Sequence, residues 1–193
     1  MASKAQLISN ARRINVVGTS GSGKTTFAQR LARIKGVPCI EMDALFWQPN
    51  WQESTDAEFM PRIKQALAPD SWVLDGNYTR TIPIKWPKTQ LVIFIDLPFW
   101  QTLLRVTRRA IQRSVRRTAL WGKPGTVETL RGTFLSKESV VWWTITHHRP
   151  NRRKYLDPAT YAGYPNITLV HLESSTEIEA CLQSLSSTLV EGH

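Results

Sequence analysis

"GTSGSGKTT" (Gly18–Thr26) follows directly on Ile14-Asn15-Val16-Val17, and that junction decides the fold. A glycine, four intervening residues and then Gly-Lys-Thr is the spacing of a phosphate-binding loop between a strand and a helix. Gly21 and Gly23 allow backbone angles that turn successive N–H groups onto one concave face, a nest for anionic oxygens. The helix behind the loop adds its positive N-terminal end. Lys24 can reach the β- and γ-phosphates of a nucleoside triphosphate, and the Thr25 hydroxyl is placed to ligate Mg²⁺. The expected nucleotide-binding residues are therefore Gly18, Ser20, Gly21, Ser22, Gly23, Lys24, Thr25 and Thr26, with ATP and Mg²⁺ as cofactors.

Outward from the loop, five apolar runs read as strands: Ile14–Gly18, Val37–Met42, Trp72–Asp75, Leu91–Leu97 and Ile167–Leu172. All but the third are nearly continuous, as expected for parallel strands covered on both faces. Helical patterns alternate with them at Lys24–Ile34, Thr55–Leu67, Pro98–Val115, Val127–His148 and Ser175–Leu189. This alternation predicts one α/β domain over residues 1–193, with a five-stranded parallel sheet of order 2-3-1-4-5 and right-handed crossovers. "WGKPGT" (Trp121–Thr126) breaks the fourth crossover into two helices, which suits a helical lid over about residues 105–155.

The 193 residues suffice for a single core, and 41% hydrophobic with 21% charged residues places the chain among globular proteins. No apolar run approaches the roughly 20 residues of a membrane span. The N-terminus lacks a signal-peptide pattern, so the expected location is cytoplasmic. Glu191-Gly192-His193 reads as an expression-tag remnant. Cys39 and Cys181 show no metal-ligand spacing, and Cys39 reads as a buried, inert thiol. His147 and His148 lack partners at ligand spacing, and no metal is assigned to them.

In an open parallel sheet, ligands bind outside the carboxyl ends of the strands. Glu41, Asp43, Asp75 and Asp96 all fall at strand ends. Asp75 is expected to order the Mg²⁺ shell and to touch substrate, and Asp43 to face an acceptor group. Net charge is +10, from 25 Lys+Arg against 15 Asp+Glu, and much of it lies between Arg105 and Arg117. Arg105, Arg109, Arg113 and Arg116 share one helical face, flanked by Arg108 and Arg117. Leu103, Leu104, Ala110, Ile111 and Val115 are expected to pack the opposite face on the sheet. Like charges at this spacing repel, so a bound anion gives the arrangement a purpose. Arg105 and Arg109, nearest the strand end, are the candidates to stabilise a migrating phosphoryl group. Arg149, Arg152 and Arg153 form a second basic cluster. Trp121, Trp142 and Trp143 are expected to pack lid helices.

"GTSGSGKTT", "DGNYTR" and "IDLPFWQTLLRVTRR" occur in the order of the adenylate-kinase-like P-loop nucleoside monophosphate kinase superfamily, which the chain resembles. "DGNYTR" is similar to that group's Asp-Gly-Phe-Pro-Arg segment, with Asn-Tyr for Phe-Pro and Arg80 one residue late. Asp96–Pro98 followed by Arg105 and Arg109 keeps the spacing to the arginines that start the lid. "MDALFWQPNW", "WVLDGNY" and "HHRPNRRKY" resemble the topology modulation protein branch over nearly the whole chain. The resemblance implies ATP/Mg²⁺-dependent phosphoryl transfer to a small acceptor, with Lys24, Arg105, Arg109 and Asp43 as catalytic residues. Asp43, Asp75 and Arg80 would then face the acceptor, and Thr25 and Asp75 the metal. A nucleotide-dependent nucleic-acid-binding or regulatory protein is the competing reading. The chain carries no RNA- or DNA-binding motif, which disfavours it.

Overall fold

Strand β1 (Arg13–Gly18) owes its place to alternation: Ile14 and Val16 bury on one face of the sheet, Asn15 and Val17 on the other. The computed structural model describes residues 3–116, 119–127 and 139–190. Five parallel strands lie in the order β2-β3-β1-β4-β5, as expected. The others are β2 (Cys39–Glu41), β3 (Trp72–Asp75), β4 (Leu91–Ile95) and β5 (Thr168–Leu172). Each is as long as or shorter than its apolar run, because Met42 already opens a helix and Asp96-Leu97 turns out of the sheet.

One face packs on α1 (Lys4–Asn10), α2 (Lys24–Lys35) and the C-terminal α8 (Ser175–Val190), with Ile14, Val73, Ile93 and Val170 meeting Phe27, Leu31 and Leu182. The other face carries two separate clusters. Beneath β2 and β3, α3 (Met42–Phe46) and α4 (Asp56–Ala66) bury Phe46, Phe59 and Ile63 against Trp72 and Leu74. Beneath β1 and β4, Trp86 and Tyr155 close over Val17, Val92 and Phe94. Helix α1, which the apolar periodicity did not reveal, is capped by Ser3 and buries Ile8.

Two expectations about helices require correction. Helix α6 (Phe99–Arg116) does not pack Leu104, Ile111 and Val115 on the sheet; they are 70%, 43% and 73% exposed. Its contact face is Thr102, Val106 and Ala110, side chains small enough to approach the phosphate loop closely. The predicted helix Val127–His148 is not helical at Val127, its residues 128–138 lie outside the described residues, and its described part, α7 (Val140–Leu156), runs through Pro150. Proline removes its own N–H from the helix ladder and crowds the carbonyl four residues back, a cost that flanking contacts must offset. Beyond it, Arg152 pairs with Asp96, Lys154 donates to Thr79, and Tyr155 is buried against Phe94, contacts that hold the last turns helical. Arg117 and residues 191–193 lie outside the described residues. No described helix is long and apolar enough to cross a membrane.

Lys85 ends the short helix α5 (Ile82–Lys85) fully buried, its amine donating to the Gly76 carbonyl at 3.2 Å. Burial, reinforced by the charge of Lys154 and opposed by Asp75, pushes the amine from 10.5 down to about 7. Between those two values the unfolded chain holds a proton that the folded chain does not. Stability contributed by this group therefore rises with pH across the window and is withheld below about pH 7. Replacing Lys85 with Met is expected to flatten that rise, read as the difference in urea midpoints between about pH 7 and about pH 9.5.

Candidate active site

The loop after β1 is shaped by what presses on it. A Cβ at Gly21 (φ +85°) would lie 2.6 Å from the Thr102 carbonyl oxygen and 3.0 Å from Val106 Cβ, so α6 sits directly on this glycine. Gly23 (φ +92°) is the N-cap of α2 and supplies no side-chain cap, which leaves the helix end to a bound anion. The loop is also tied to β3. Asn77 accepts from the Gly18 N–H at 3.0 Å and donates to the Gly18 carbonyl at 2.8 Å.

Thr25 donates to Asp75 Oδ2 at 2.5 Å, which puts the two expected metal ligands side by side. Asp75 is only 5% exposed, and its other oxygen, Oδ1, is buried without a hydrogen-bond partner. Burial raises its pKa, opposed by the charge of Lys24 and the Thr25 hydroxyl, while Asp43 and Glu41 push it further up. A buried, unpartnered carboxylate oxygen next to a hydroxyl suits a hard, oxygen-loving cation such as Mg²⁺.

The charged residues divide to either side of the loop. On the β4–β5 side, Arg109 donates to Ser20 Oγ at 3.0 Å and Arg105 to Ser175 Oγ at 3.0 Å. Both line a cavity of about 270 Å³ with Gly21, Gly23, Thr26, Phe27 and Leu182. Its far end is the exposed pair between Arg30 and Glu179. On the β2–β3 side, Glu41 and Asp75 are register partners. Asp43 accepts from the Tyr78 hydroxyl at 2.7 Å, and Glu41 accepts from Gln29 at 2.6 Å and from the Trp121 indole at 3.2 Å. Burial first, then the Asp43 charge and its hydrogen bond, pushes the Tyr78 phenol far up, so Tyr78 stays a proton donor to that carboxylate.

Two sequence candidates are engaged by other side chains. Arg80 pairs with Asp56 at 3.1 Å and sits over the Phe46 and Phe59 rings, at 4.7 and 5.4 Å. Asp96 is taken by Arg152 at 2.8 Å and His171 at 3.0 Å. Of the three tryptophans expected among lid helices, Trp142 is 53% exposed, Trp143 stacks on His147, and Trp121 reaches Glu41. Cys39 is half-buried, and burial pushes its thiol up to about 12, which makes it inert.

Asn77, Tyr78 and Ser175 were missed as site residues. The signal for the first two was present in "DGNYTR", where polar Asn-Tyr stands directly after the strand-end acid. No local signal marks Ser175, which reaches the site through the β5–α8 connection.

No protein-family model matches the chain, and none of the curated protein sequences compared with it does. Among solved structures, the chain is similar to "Shikimate kinase from Acinetobacter baumannii in complex with shikimate". That match has a TM-score of 0.52 and 13% identity over 97% of this chain and 98% of that one. A shikimate kinase from Bacteroides thetaiotaomicron has TM-score 0.48 and 15% identity, covering 93% of this chain and 98% of that one. A gluconokinase from Sinorhizobium meliloti 1021 has TM-score 0.45 and 18% identity, covering 94% and 97%. The first likeness establishes the fold, that of the P-loop kinases.

Asn77→Ala is expected to strand the buried Gly18 backbone groups and cost about 1–3 kcal/mol of stability. Urea unfolding measures it. Asn77→Asp keeps the acceptor for the Gly18 N–H and should fall between the two.

Proposed function

We propose that the chain is an ATP- and Mg²⁺-dependent kinase that transfers a phosphoryl group to a small acceptor. We place it in the cytoplasm and in the adenylate-kinase-like group, nearest the topology modulation protein branch. The carrying observation is the unpartnered Asp75 oxygen beside Thr25 at the foot of the loop, with Asp43 at the neighbouring strand end.

The loop from Gly18 to Thr26 takes the triphosphate, with Lys24 as the charge partner of its β- and γ-phosphates. Thr25 and Asp75 are the residues that would hold Mg²⁺, which when bound neutralises charge on the phosphate oxygens. The cavity beside Phe27 takes the nucleoside end of ATP. Arg105 and Arg109 stand on the same side and stabilise charge on the phosphoryl oxygens as it develops. When the acceptor is a hydroxyl, Asp43 takes its proton while the acceptor oxygen bonds to the γ-phosphorus. The bond from that phosphorus to the bridging oxygen breaks, and ADP leaves. A phosphate acceptor needs no such base. Arg80, held by Asp56, braces the acceptor wall through Phe46 and Phe59. The segment docked over Glu41 belongs to a lid whose closure would keep water from the phosphoryl group.

Incubation with ATP and Mg²⁺ across nucleosides, nucleoside monophosphates and small hydroxy compounds is expected to show ADP release above the water background with at least one acceptor. Lys24→Ala should fold and abolish that release. Arg109→Lys keeps charge but loses the planar fork that spans two oxygens, so kcat is expected to fall at least about tenfold with nucleotide affinity changed much less. Turnover equal to wild type in Lys24→Ala would remove the reading.

A further inference from the structure

The acceptor side of the loop has a wall that the nucleotide side lacks. Trp47, Trp51 and Trp121 meet edge to face, at 5.4 and 6.1 Å between successive rings. The segment carrying Trp121 is clamped onto the chain after β2. Lys123 donates to the carbonyls of Ala44 and Trp47, Asn50 N–H to Pro124 at 3.0 Å, and the Trp51 indole to Val127 at 3.2 Å. Asn50, Trp51 and Trp121, at φ near +55°, are the non-glycine residues with positive φ among those described. Such backbone is costly for a bulky residue and persists where surrounding contacts over-determine it.

The charges on this side divide unevenly. Glu41 and Asp43 stand at the mouth, and the nine-tenths-buried Asp75 adds its unpartnered oxygen. The cations of the same wall already have partners. Arg62 donates to the Leu45 carbonyl and Ser54, Arg80 pairs with Asp56, and Lys123 holds two carbonyls. Lys24 belongs to the phosphates, and Arg105 and Arg109 lie on the other side of the loop. Indole rings beside carboxylates recognise a ring bearing hydroxyls or ammonium groups: rings stack, and carboxylates accept from O–H and N⁺–H. An anionic acceptor would meet Glu41 and Asp43, whereas among the described residues Arg62, Arg80 and Lys123 of this wall are held by Leu45, Ser54, Asp56, Ala44 and Trp47.

We propose that the acceptor is a neutral or cationic polyhydroxyl ring compound, a nucleoside or a sugar or amino sugar, held between the Trp121–Trp51–Trp47 wall and the carboxylates of Glu41 and Asp43. This rests on the phosphoryl-transfer reading above and narrows it. Glu41 acts as a specificity residue, with Trp121 fixing one of its oxygens. Asp43 takes the proton of the hydroxyl that is phosphorylated.

The test is calorimetric titration of the whole chain, saturated with Mg²⁺ and a non-hydrolysable ATP analogue, with matched ligands. Adenosine is set against adenosine monophosphate, glucose against glucose 6-phosphate, and glucosamine against glucosamine 6-phosphate, with shikimate as a further anion. At least one neutral or cationic member is expected to bind at least about tenfold more tightly than its anionic counterpart. The pair that shows this also tells nucleoside from sugar. Glu41→Gln is expected to weaken that ligand at least about tenfold without changing affinity for the ATP analogue. Trp121→Phe, which keeps a ring but loses the indole N–H, should weaken it less. Equal or tighter binding of every anionic member overturns the assignment, as does failure of all neutral and cationic members to bind. So does a Glu41→Gln protein that is folded and unaltered in acceptor binding. ADP release is scored separately. Release with an anionic acceptor alone keeps the kinase reading and overturns this assignment, whereas selective neutral binding without release keeps the assignment and removes the kinase reading.

Discussion

Asn77, from the chain just beyond β3, hydrogen-bonds both the N–H and the carbonyl of Gly18 where β1 becomes the phosphate loop. A loop that offers its own amides to an anion cannot also use them to hold itself in shape. Its geometry must be imposed from outside. Asn77 fixes where the loop leaves the sheet, and α6 fixes its crest by lying on Gly21. Thr25, the second residue of the next helix, is hydrogen-bonded to Asp75 two residues before Asn77. The β3 end therefore sets both the frame of the loop and its carboxylate. Asn15, beneath in β1, donates to the carbonyls of Leu74 and Gly76 and accepts from the Trp86 indole, so this end of β3 is itself anchored to the core. Preorganisation of this kind is what lets backbone dipoles act on a phosphate without rearranging first.

Much of the architecture was legible in the sequence because it rests on periodicity and on one loop whose chemistry tolerates little variation. Strand number followed from the apolar runs, and parallel pairing from the alternation of elements. Residues read from short local motifs also meet in the structure: Thr25 from the loop hydrogen-bonds Asp75 from a strand end. Orientation was harder to read. In α6 the large aliphatics Leu104, Ile111 and Val115 suggested a core-facing stripe, yet the tight approach to Gly21 selects Thr102, Val106 and Ala110. Steric limits of a partner do not show in a helix's own periodicity. Pro150 misled in the same way, since the contacts that keep α7 helical beyond it come from β4, the turn that follows it and the chain after β3. Arg80 has a charge suited to an acceptor phosphate, but its partner Asp56 is 24 residues back in the chain and no spacing rule joins them.

The position of β1 in the middle of the sheet carries a further consequence. The loop it feeds has a cleft on each flank, and the two clefts rest on different apolar clusters. Phe27 and Leu182, which line the cavity beside Arg105 and Arg109, belong to the cluster under α1, α2 and α8. The wall around Asp43 rests on Phe46, Phe59, Ile63 and Trp72, which form a cluster of their own. Substitutions far enough apart to share no neighbours add independently. Packing around Phe46, Phe59 and Ile63 can therefore change without touching Phe27 or Leu182, whereas Glu41 and Asp43 stay coupled to Asp75. In a chain arranged in this way, the packing on one flank of the loop can drift in small steps while the packing on the other keeps its shape.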